Sequence, residues 1–299
     1  MNMLIMGAGF SGCAIGNAVA RSGASVVGTS RDPSRFDALR AAGIAPVLFD
    51  GLQPGDDLIA ALRTATHLLI SIAPPRNADA TLSGVDPVLR ALGPNQLATL
   101  SPKLKWIGYL STVGVYGNHD GAWVDEAVPP APVSERSRQR VAAEEEWRDA
   151  ASSLKLPLAI FRLSGIYGPG RNGVVNAHAG KTRRLIKPGQ VFNRIHVADI
   201  ATAVCRAAAN QTGGLFNITD DEPAPPQDVV TFAHTLLGTE PPAEIDFESA
   251  DLTPMARSFY GENKRVSNAK SKAVLGMTYE YPNYRIALTR MFEEGTWKG

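Results

Sequence analysis

The sequence predicts an α/β fold, a doubly wound parallel sheet with a smaller C-terminal α+β lobe. Short apolar runs alternate with amphipathic or alanine-rich segments from Met3 to about Ile160, which is the rhythm of βαβ units. After Pro169 the composition changes, with glycine, proline and asparagine clusters and a basic stretch at 181–187. We therefore expect a first domain over residues 1–170 and a second lobe over residues 171–299.

The individual elements follow from periodicity and from turn residues. Apolar runs predict strands near 2–6, 24–28, 46–49, 67–72, 104–110 and 157–162. Intervening segments predict helices at 11–21, 33–41, 56–64, 83–92 and 134–150. Gly23 and Gly43 follow two of these helices, and Asp32-Pro33 begins another. A further helix at 197–209 and a strand at 215–218 are expected to pack back on the first domain.

Composition excludes several classes of function. The 299 residues are 44% apolar and 20% charged with a formal net charge of +1, so the chain has material for a core and no field that favours nucleic acid or an anionic bilayer. No run of ~18 apolar residues and no basic leader occurs, which predicts no membrane span and a cytoplasmic location. Two cysteines, Cys13 and Cys205, and five histidines without helical pairing predict no disulfide framework and no metal site.

The first strand runs into a glycine-rich turn. Met3–Met6 is followed by Gly7-Ala-Gly9-Phe10-Ser11-Gly12 and then by an alanine-rich helix. In a Rossmann-like fold, three such glycines permit the tight turn, the approach of backbone N–H groups to a pyrophosphate, and close packing of helix on strand. This order predicts a dinucleotide site that includes Phe10 and Ser11, whereas a turn that binds nothing is the alternative.

The end of the second strand bears on the choice of dinucleotide. An Asp or Glu here would bond the adenosine ribose, but the strand ends in Thr29-Ser30-Arg31. Ser30, Arg31 and, one turn on, Arg35 suit a 2′-phosphate, which favours NADP(H) over NAD(H). A solvated helix start, partly neutralised by Asp32, is the alternative interpretation.

Two further loops are expected near the cofactor. Asp50 and Gly51 end the third strand near the adenine, and Ser71 to Pro75, including Ala73, end the fourth near the pyrophosphate. Turn chemistry explains both loops equally well.

The later motifs carry a family resemblance. Ile107–Gly117 contains Ser-Thr-Val-Gly-Val-Tyr-Gly, Arg162–Gly170 contains Tyr-Gly-Pro-Gly, and Arg194–Ala201 begins Arg-Ile-His. In this order they resemble the landmarks of extended short-chain dehydrogenase/reductases, the NAD(P)-dependent epimerase/dehydratase group. Asn263–Asn268 and Tyr281–Arg285 look like an atypical branch of that family.

The resemblance implies roles for particular residues. Thr112 matches the family's hydroxyl that bonds the substrate oxygen beside the nicotinamide, although it could instead cap a turn. The family's Tyr-x-x-x-Lys pair is replaced by Arg136 and Arg140, which cannot exchange protons but could clamp an anion from one helix face, unless that face is solvated. Tyr116, four residues after Thr112, is then the nearest proton carrier, with packing as the alternative role.

Substrate contacts are expected from the second lobe. Arg194 matches a family position associated with a nucleotide diphosphate, and His178 follows the Tyr-Gly-Pro-Gly segment and could overhang the nicotinamide. Together these features predict an NADP(H)-binding oxidoreductase or epimerase-like enzyme for a small carbonyl, alcohol or sugar-nucleotide substrate, possibly as a homodimer. The competing hypothesis is a non-catalytic NADP(H) sensor.

Overall fold

Seven parallel strands form the central sheet of the structure, a computed structural model that describes residues 1–74 and 86–299. The strands, numbered along the chain, are β1 (Asn2–Met6), β2 (Ser25–Ser30), β3 (Ala45–Leu48), β4 (His67–Ile70), β5 (Trp106–Thr112), β6 (Trp123–Val124), β7 (Leu158–Leu163), β8 (Gly165–Tyr167), β9 (Arg184–Ile186), β10 (Arg194–His196), β11 (Gly214–Ile218), β12 (Glu244–Asp246) and β13 (Arg265–Val266). The helices are α1 (Phe10–Arg21), α2 (Phe36–Ala41), α3 (Asp56–Thr64), α4 (Pro87–Leu100), α5 (Glu135–Leu154), α6 (Gly173–His178), α7 (Val197–Ala209), α8 (Pro226–Leu237), α9 (Pro254–Phe259), α10 (Ala269–Leu275) and α11 (Tyr284–Glu293).

The strand order of the sheet is β11-β7-β5-β4-β1-β2-β3. After β1 the chain adds strands first on one side and then on the other, so the direction of winding reverses between β1 and β4. Ligands of doubly wound sheets bind at this reversal, outside the carboxyl ends of the strands. The predicted fold class is confirmed, and the topology places the site beyond the ends of β1, β4 and β5.

Both faces of the sheet are buried. One apolar cluster joins β1 and β7 to α1 and α7, and a second joins β4 and β5 to α3, α4 and α5. A parallel sheet covered on both faces has continuous apolar strands, and all four residues of β4 are buried.

Helix α4 differs from its prediction at 83–92. Residues 83–85, like Pro75 of the fourth-strand loop, lie outside the described residues. Asp86 caps the helix, because its carboxylate accepts hydrogen bonds from the backbone N–H groups of Val88 (2.9 Å) and Leu89 (3.2 Å). The helix continues to Leu100 across a kink at Gly93, where φ is +63°. Sequence reasoning missed the start signal of an aspartate before a proline.

The later part of the chain builds small sheets and helices above the carboxyl edge. β8 pairs with β10, β9 with β12 and β6 with β13, all in parallel. Helices α6, α8 and α11 share one apolar cluster. β11 is the edge strand of the central sheet beside β7, and α7 packs on α1. The division at residue 170 stays a prediction.

Within residues 1–74 and 86–299, no helix is both long enough and apolar enough to cross a bilayer.

Candidate cofactor and substrate cleft

The glycine turn forms an open cradle between β1 and α1. Gly7 has a φ of +96°, and its backbone N–H donates to the Thr29 hydroxyl at 2.8 Å, which fixes the turn against β2. A Cβ at Gly12 would clash with the Gly7 carbonyl oxygen, so the helix can start this close only with glycine. A Cβ on Gly9 would meet no described atom within 4 Å. The cradle therefore fits the pyrophosphate of a dinucleotide.

Helix α1 begins with two of the predicted cofactor residues. Phe10 is its first residue and lies partly exposed, and Ser11 is buried. The first turn of α1 carries no acidic side chain. The positive end of the helix dipole is thus available to an anion.

The loop after β2 presents two exposed arginines, Arg31 and Arg35. The Ser30 hydroxyl is already used in the loop, since it accepts from the Asp32 N–H (3.1 Å) and donates to the Asp32 carbonyl (3.2 Å). The Asp32 carboxylate accepts from the N–H (3.0 Å) and hydroxyl (2.7 Å) of Ser34, and these bonds hold the pKa of Asp32 below its usual value. Among the described residues Arg31 and Arg35 form no ion pair, and one oxygen of the Asp32 carboxylate is engaged by Ser34.

The loops after β3 and β4 differ in how they use their polar groups. The Asp50 carboxylate accepts the Leu52 N–H at 2.9 Å, and Gly51 has a φ of +92°, which is turn chemistry. The N–H groups of Ser71 and Ile72 both donate to the Met6 carbonyl, at 2.9 and 3.0 Å. This holds the Ser71–Ala73 segment beside the glycine turn, as a site near the pyrophosphate requires.

A cleft of about 550 Å³ lies beyond the carboxyl end of β5. Thr112 and Gly114 form part of its wall, with Ser134, Arg136 and Ser137 at the start of α5. The Thr112 hydroxyl accepts the Gly114 N–H at 3.1 Å, so it caps the turn at 113–116 and still has its own proton to donate. The predicted turn role and the predicted position beside the substrate space are therefore compatible.

The two arginines of α5 point to different places. Arg136 lines the cleft and lies over the Phe259 ring at 4.9 Å. Arg140 instead donates to the Leu110 carbonyl (2.7 Å) and the Tyr109 hydroxyl (3.1 Å), and it is not among the described residues that line the cleft. The spacing of four places both arginines near one face of α5, but only Arg140 lies within hydrogen-bond distance of acceptors on β5.

Tyr116 lies behind the cleft rather than in its wall. Its side chain has no exposed surface, and its hydroxyl donates to the Asn217 amide oxygen at 2.8 Å. Burial raises the pKa of Tyr116, opposed by the Arg162 guanidinium 4.7 Å from the ring centroid. This geometry argues against the predicted proton transfer by Tyr116 and gives it a packing role.

A buried ion pair connects α5 to the sheet beneath the cleft. The Glu144 carboxylate accepts both Nε and a terminal nitrogen of Arg162, at 3.0 and 2.8 Å, and the Ser111 hydroxyl at 2.6 Å. Arg148 adds a bond at 3.1 Å. The partner of Glu144 on β7 is a tertiary contact, which helical spacing does not reveal.

The second lobe contributes Arg194 to the cleft wall. Its guanidinium donates to the carbonyls of Phe192 (3.0 Å) and Ala224 (3.1 Å), and burial lowers its pKa while the Asp220 carboxyl opposes that shift. Asp220 is itself only 2% exposed, and burial raises its pKa to about 8. His178, predicted to overhang the nicotinamide, is exposed and packs edge-on against Trp297 at 5.3 Å, while Asn176 of the same helix lines the cleft.

Lys264 and Glu262 were not predicted as a pair in the cleft wall. The Lys264 side chain is 6% exposed, and its ammonium donates to Glu262 (2.6 Å) and to the Gly117 carbonyl (2.7 Å). Gly117 and Lys264 are 147 positions apart in sequence, so no local signal could have found this contact. Among the described residues, no group of three His, Cys, Asp or Glu side chains could hold a metal ion.

The charges of the cleft favour anions. Its described wall contains Arg136, Arg171, Arg194 and Lys264, against the single carboxylate of Glu262. None of the three arginines forms an ion pair with a carboxylate in residues 1–74 or 86–299. An anionic ligand would supply the partner that they lack.

Comparison with known proteins decides the family. Residues 3–219 match the model of the NAD dependent epimerase/dehydratase family, which is more than half of the chain. This protein belongs to that family. The predicted resemblance to the extended short-chain dehydrogenase/reductases is thereby confirmed.

Proteins similar to this one carry different functional descriptions. A conserved protein of unknown function from Silicibacter pomeroyi DSS is 47% identical, with a TM-score of 0.86 over 98% of this chain and 99% of that chain. A UDP-glucuronic acid 4-epimerase from Bacillus cereus in complex with NAD is 18% identical, with a TM-score of 0.74 over 98% and 96% of the two chains, and it shows the shared fold. A 3-diazoavenalumate denitrifying reductase from Streptomyces is 27% identical over 161 residues, which span 50% of this chain and 52% of that protein.

Proposed function

We propose that this protein binds NADP(H) and acts as an oxidoreductase or epimerase-like enzyme on an anionic carbonyl or alcohol substrate, sugar-nucleotide-like or smaller. The observation that carries the proposal is one cleft that joins Thr112 at the end of β5 to three arginines without ion-pair partners among the described residues. Support comes from the family, from NAD in the complex of a structurally similar epimerase, and from a relative that is named as a reductase.

The cofactor would be held by the first domain. Gly7, Gly9 and Gly12 form the cradle for its pyrophosphate, with Phe10 and Ser11 at the helix start. When bound, a nicotinamide cofactor supplies or accepts a hydride. Ser71 and Ala73 pass beside the same cradle, because their segment is bonded to the Met6 carbonyl.

The β2 loop supports NADP(H) over NAD(H). The carboxylate of Asp32 accepts both Ser34 bonds at one oxygen, Oδ1, and is thereby held toward Ser34 rather than at the end of β2. Arg31 and Arg35 are exposed, and Arg35 is near enough to Cys13 of α1 to oppose the rise that burial causes in the pKa of that thiol. In this proposal both arginines would flank the adenosine end of the site, where a 2′-phosphate would lie.

Calorimetric dissociation constants for NADPH and NADH test this preference. Arg31→Gln is expected to weaken NADPH about tenfold and to leave NADH unchanged, because only NADPH carries the 2′-phosphate. Arg63→Gln, on the exposed side of α3, is the control and should change neither constant. Tighter binding of NADH than NADPH by the wild-type protein would disprove the preference.

Each of the cleft residues would have its own role in binding the substrate. Thr112 would donate its hydroxyl proton to the substrate oxygen. Arg136 would hold a negative group of the substrate and cannot transfer a proton, since a guanidinium stays charged. Arg194 would hold the far end of an extended anion. Arg140 acts on this site indirectly, by fixing α5 to β5.

Binding of anions tests the substrate class. In the presence of NADP⁺, titration with UDP-glucuronic acid, UDP-glucose and UDP is expected to show saturable heat. Arg136→Gln and Arg194→Gln should each weaken it, and Arg138→Gln, exposed on the outer face of α5, should not. Absence of any binding by the wild-type protein to these three anions would contradict the anionic, nucleotide-like substrate.

The position of Tyr116 favours one alternative, a cofactor-binding sensor without turnover. Tyr116 is enclosed and bonded to Asn217, and the family's tyrosine position holds Arg136, so neither supplies a proton at the cleft. Transfer of label from deuterated NADPH to a panel of carbonyl and sugar-nucleotide compounds separates the two functions. An oxidoreductase transfers label to at least one carbonyl compound, and an epimerase, which returns the hydride to its own substrate, is detected instead by inversion of a sugar nucleotide in the presence of NADP⁺. A sensor does neither and changes affinity for a partner with the redox state of the cofactor.

A further inference from the structure

Arg171 connects the substrate cleft to the glycine turn. It follows the turn after β8, where the N–H groups of Gly168 and Arg171 each donate to the other's carbonyl at 3.0 Å. Its guanidinium lies over the ring of Phe10, 5.5 Å from the centroid. Phe10 directly follows Gly9, at which a Cβ would meet no described atom within 4 Å. A cation from the later part of the chain is thus placed beside the first residue of α1, next to the glycine turn.

The charge of Arg171 has no partner in the described structure. Arg148 and Arg162 are paired with Glu144, whereas Arg171 forms no ion pair with a described carboxylate and no side-chain hydrogen bond. The first turn of α1, beside which it stands, has no acidic residue. A pyrophosphate in the cradle would bring two negative charges to this position, and the helix dipole alone compensates only about half a charge.

The ring of Phe10 restricts the arginine further. The guanidinium of Arg171 is exposed and lies over one face of the ring, and a guanidinium can offer two N–H groups to phosphate oxygens in a bidentate contact. A lysine would lack both the stacking and the fork. The Gly168–Arg171 backbone pair fixes the position from which the side chain starts.

We propose that Arg171 is a ligand of the cofactor pyrophosphate, supplied by the substrate side of the cleft. The inference rests on the proposed cofactor binding and adds a residue that neither the glycine motif nor the family landmarks indicate. Arg171 is followed directly by Asn172 and α6, which line the cleft. The proposed contact would therefore connect the cofactor to the part of the cleft wall that faces the substrate.

Dissociation constants for NADPH, NADH and ADP, measured by calorimetry at low and moderate salt, test the inference. Arg171→Gln should weaken all three about tenfold, because each carries the diphosphate, and the loss should shrink as salt increases. This distinguishes it from Arg31→Gln, which is expected to affect NADPH alone. Arg138→Gln is the matched control and should leave all constants unchanged.

Two further variants keep the test decisive if Arg171→Gln does not fold. Phe10→Leu removes the stacking ring and keeps Arg171, and it should weaken the same three ligands by a smaller factor. Arg171→Lys keeps the charge and loses the fork, and should give an intermediate loss. Thermal melting confirms that each variant is folded. Should Arg171→Gln fail to fold, the intermediate loss expected of Arg171→Lys decides, and unchanged constants in that variant would overturn the contact.

The outcomes separate this inference from the proposed function. Unchanged constants in folded Arg171→Gln, or a loss confined to NADPH, would overturn the pyrophosphate contact and leave cofactor binding intact. If the wild-type protein binds neither NADPH nor NADH, the proposed cofactor function fails and the role of Arg171 fails with it.

Discussion

Removing the Glu144 carboxylate is predicted to destabilise the protein strongly. In Glu144→Met the apolar side chain fills a similar volume, but Arg162, whose side chain is 2% exposed, keeps its charge without a counterion. The variant also leaves the Ser111 hydroxyl without its acceptor at 2.6 Å. Breaking a fully buried, bidentate ion pair in this way costs about 3–5 kcal/mol. Glu145→Met, one residue on and exposed, should cost less than about 0.5 kcal/mol.

Urea denaturation of the two single variants and the double variant measures the effect. Arg162→Met should also be costly, since it leaves Glu144 charged and 0% exposed. Glu144→Met/Arg162→Met removes both charges and should lose much less than the two single variants together, with a coupling of about 2 kcal/mol or more. If Glu144→Met costs less than about 1 kcal/mol, or if the single losses add in the double variant, the ion pair does not hold α5 as described.

Three further outcomes are expected. Burial raises the pKa of Asp220 from its ordinary value of 3.8 to about 8, so the folded state holds a proton that the unfolded chain releases, and stability should fall by up to about 1.4 kcal/mol per unit as the pH rises from 4 to 8. Urea denaturation at four pH values measures the slope of the unfolding free energy against pH. In Asp220→Asn this slope should decrease by the equivalent of one proton, and an identical slope in that variant would refute the assignment. Tyr116→Phe should leave the dissociation constant for NADPH unchanged and lower the free energy of unfolding by about 1 kcal/mol, because the hydrogen bond to Asn217 is lost. A large loss of NADPH affinity in this variant would indicate that Tyr116 acts in the site after all. Gly12→Ala should abolish NADPH binding because its methyl group meets the Gly7 carbonyl, and retained affinity by calorimetry would argue against the cradle.

Local signals predicted the fold better than they predicted the site. The order of strands and helices and the glycine turn at Gly7 follow from periodicity and from residues adjacent in sequence, and the structure contains both. The direction of a loop side chain depends on contacts from elsewhere. Tyr116 faces inward, where its hydroxyl donates a hydrogen bond to the amide oxygen of Asn217, 101 residues away.

The same argument explains where the side chains of Lys264 and Arg140 lie. Lys264 enters the cleft wall because the Gly117 carbonyl, 147 positions away, accepts from its ammonium. Arg140 does not line the cleft because its guanidinium donates a hydrogen bond to the Leu110 carbonyl on β5. Both outcomes are set by tertiary packing, for which neither helical spacing nor composition carries a signal.

The position of β11 at the edge of the central sheet has a consequence for dissecting the chain. β11 closes the hydrogen-bonding edge of β7, and its register runs from Gly214 opposite Ala159 to Ile218 opposite Leu163. A fragment cut at residue 170 would therefore present a row of unsatisfied backbone groups, together with the uncovered ring of Phe161 that normally packs on Phe216 at 6.2 Å. Such a half-molecule is expected to self-associate through this exposed strand, so ligand studies on this protein need the whole polypeptide.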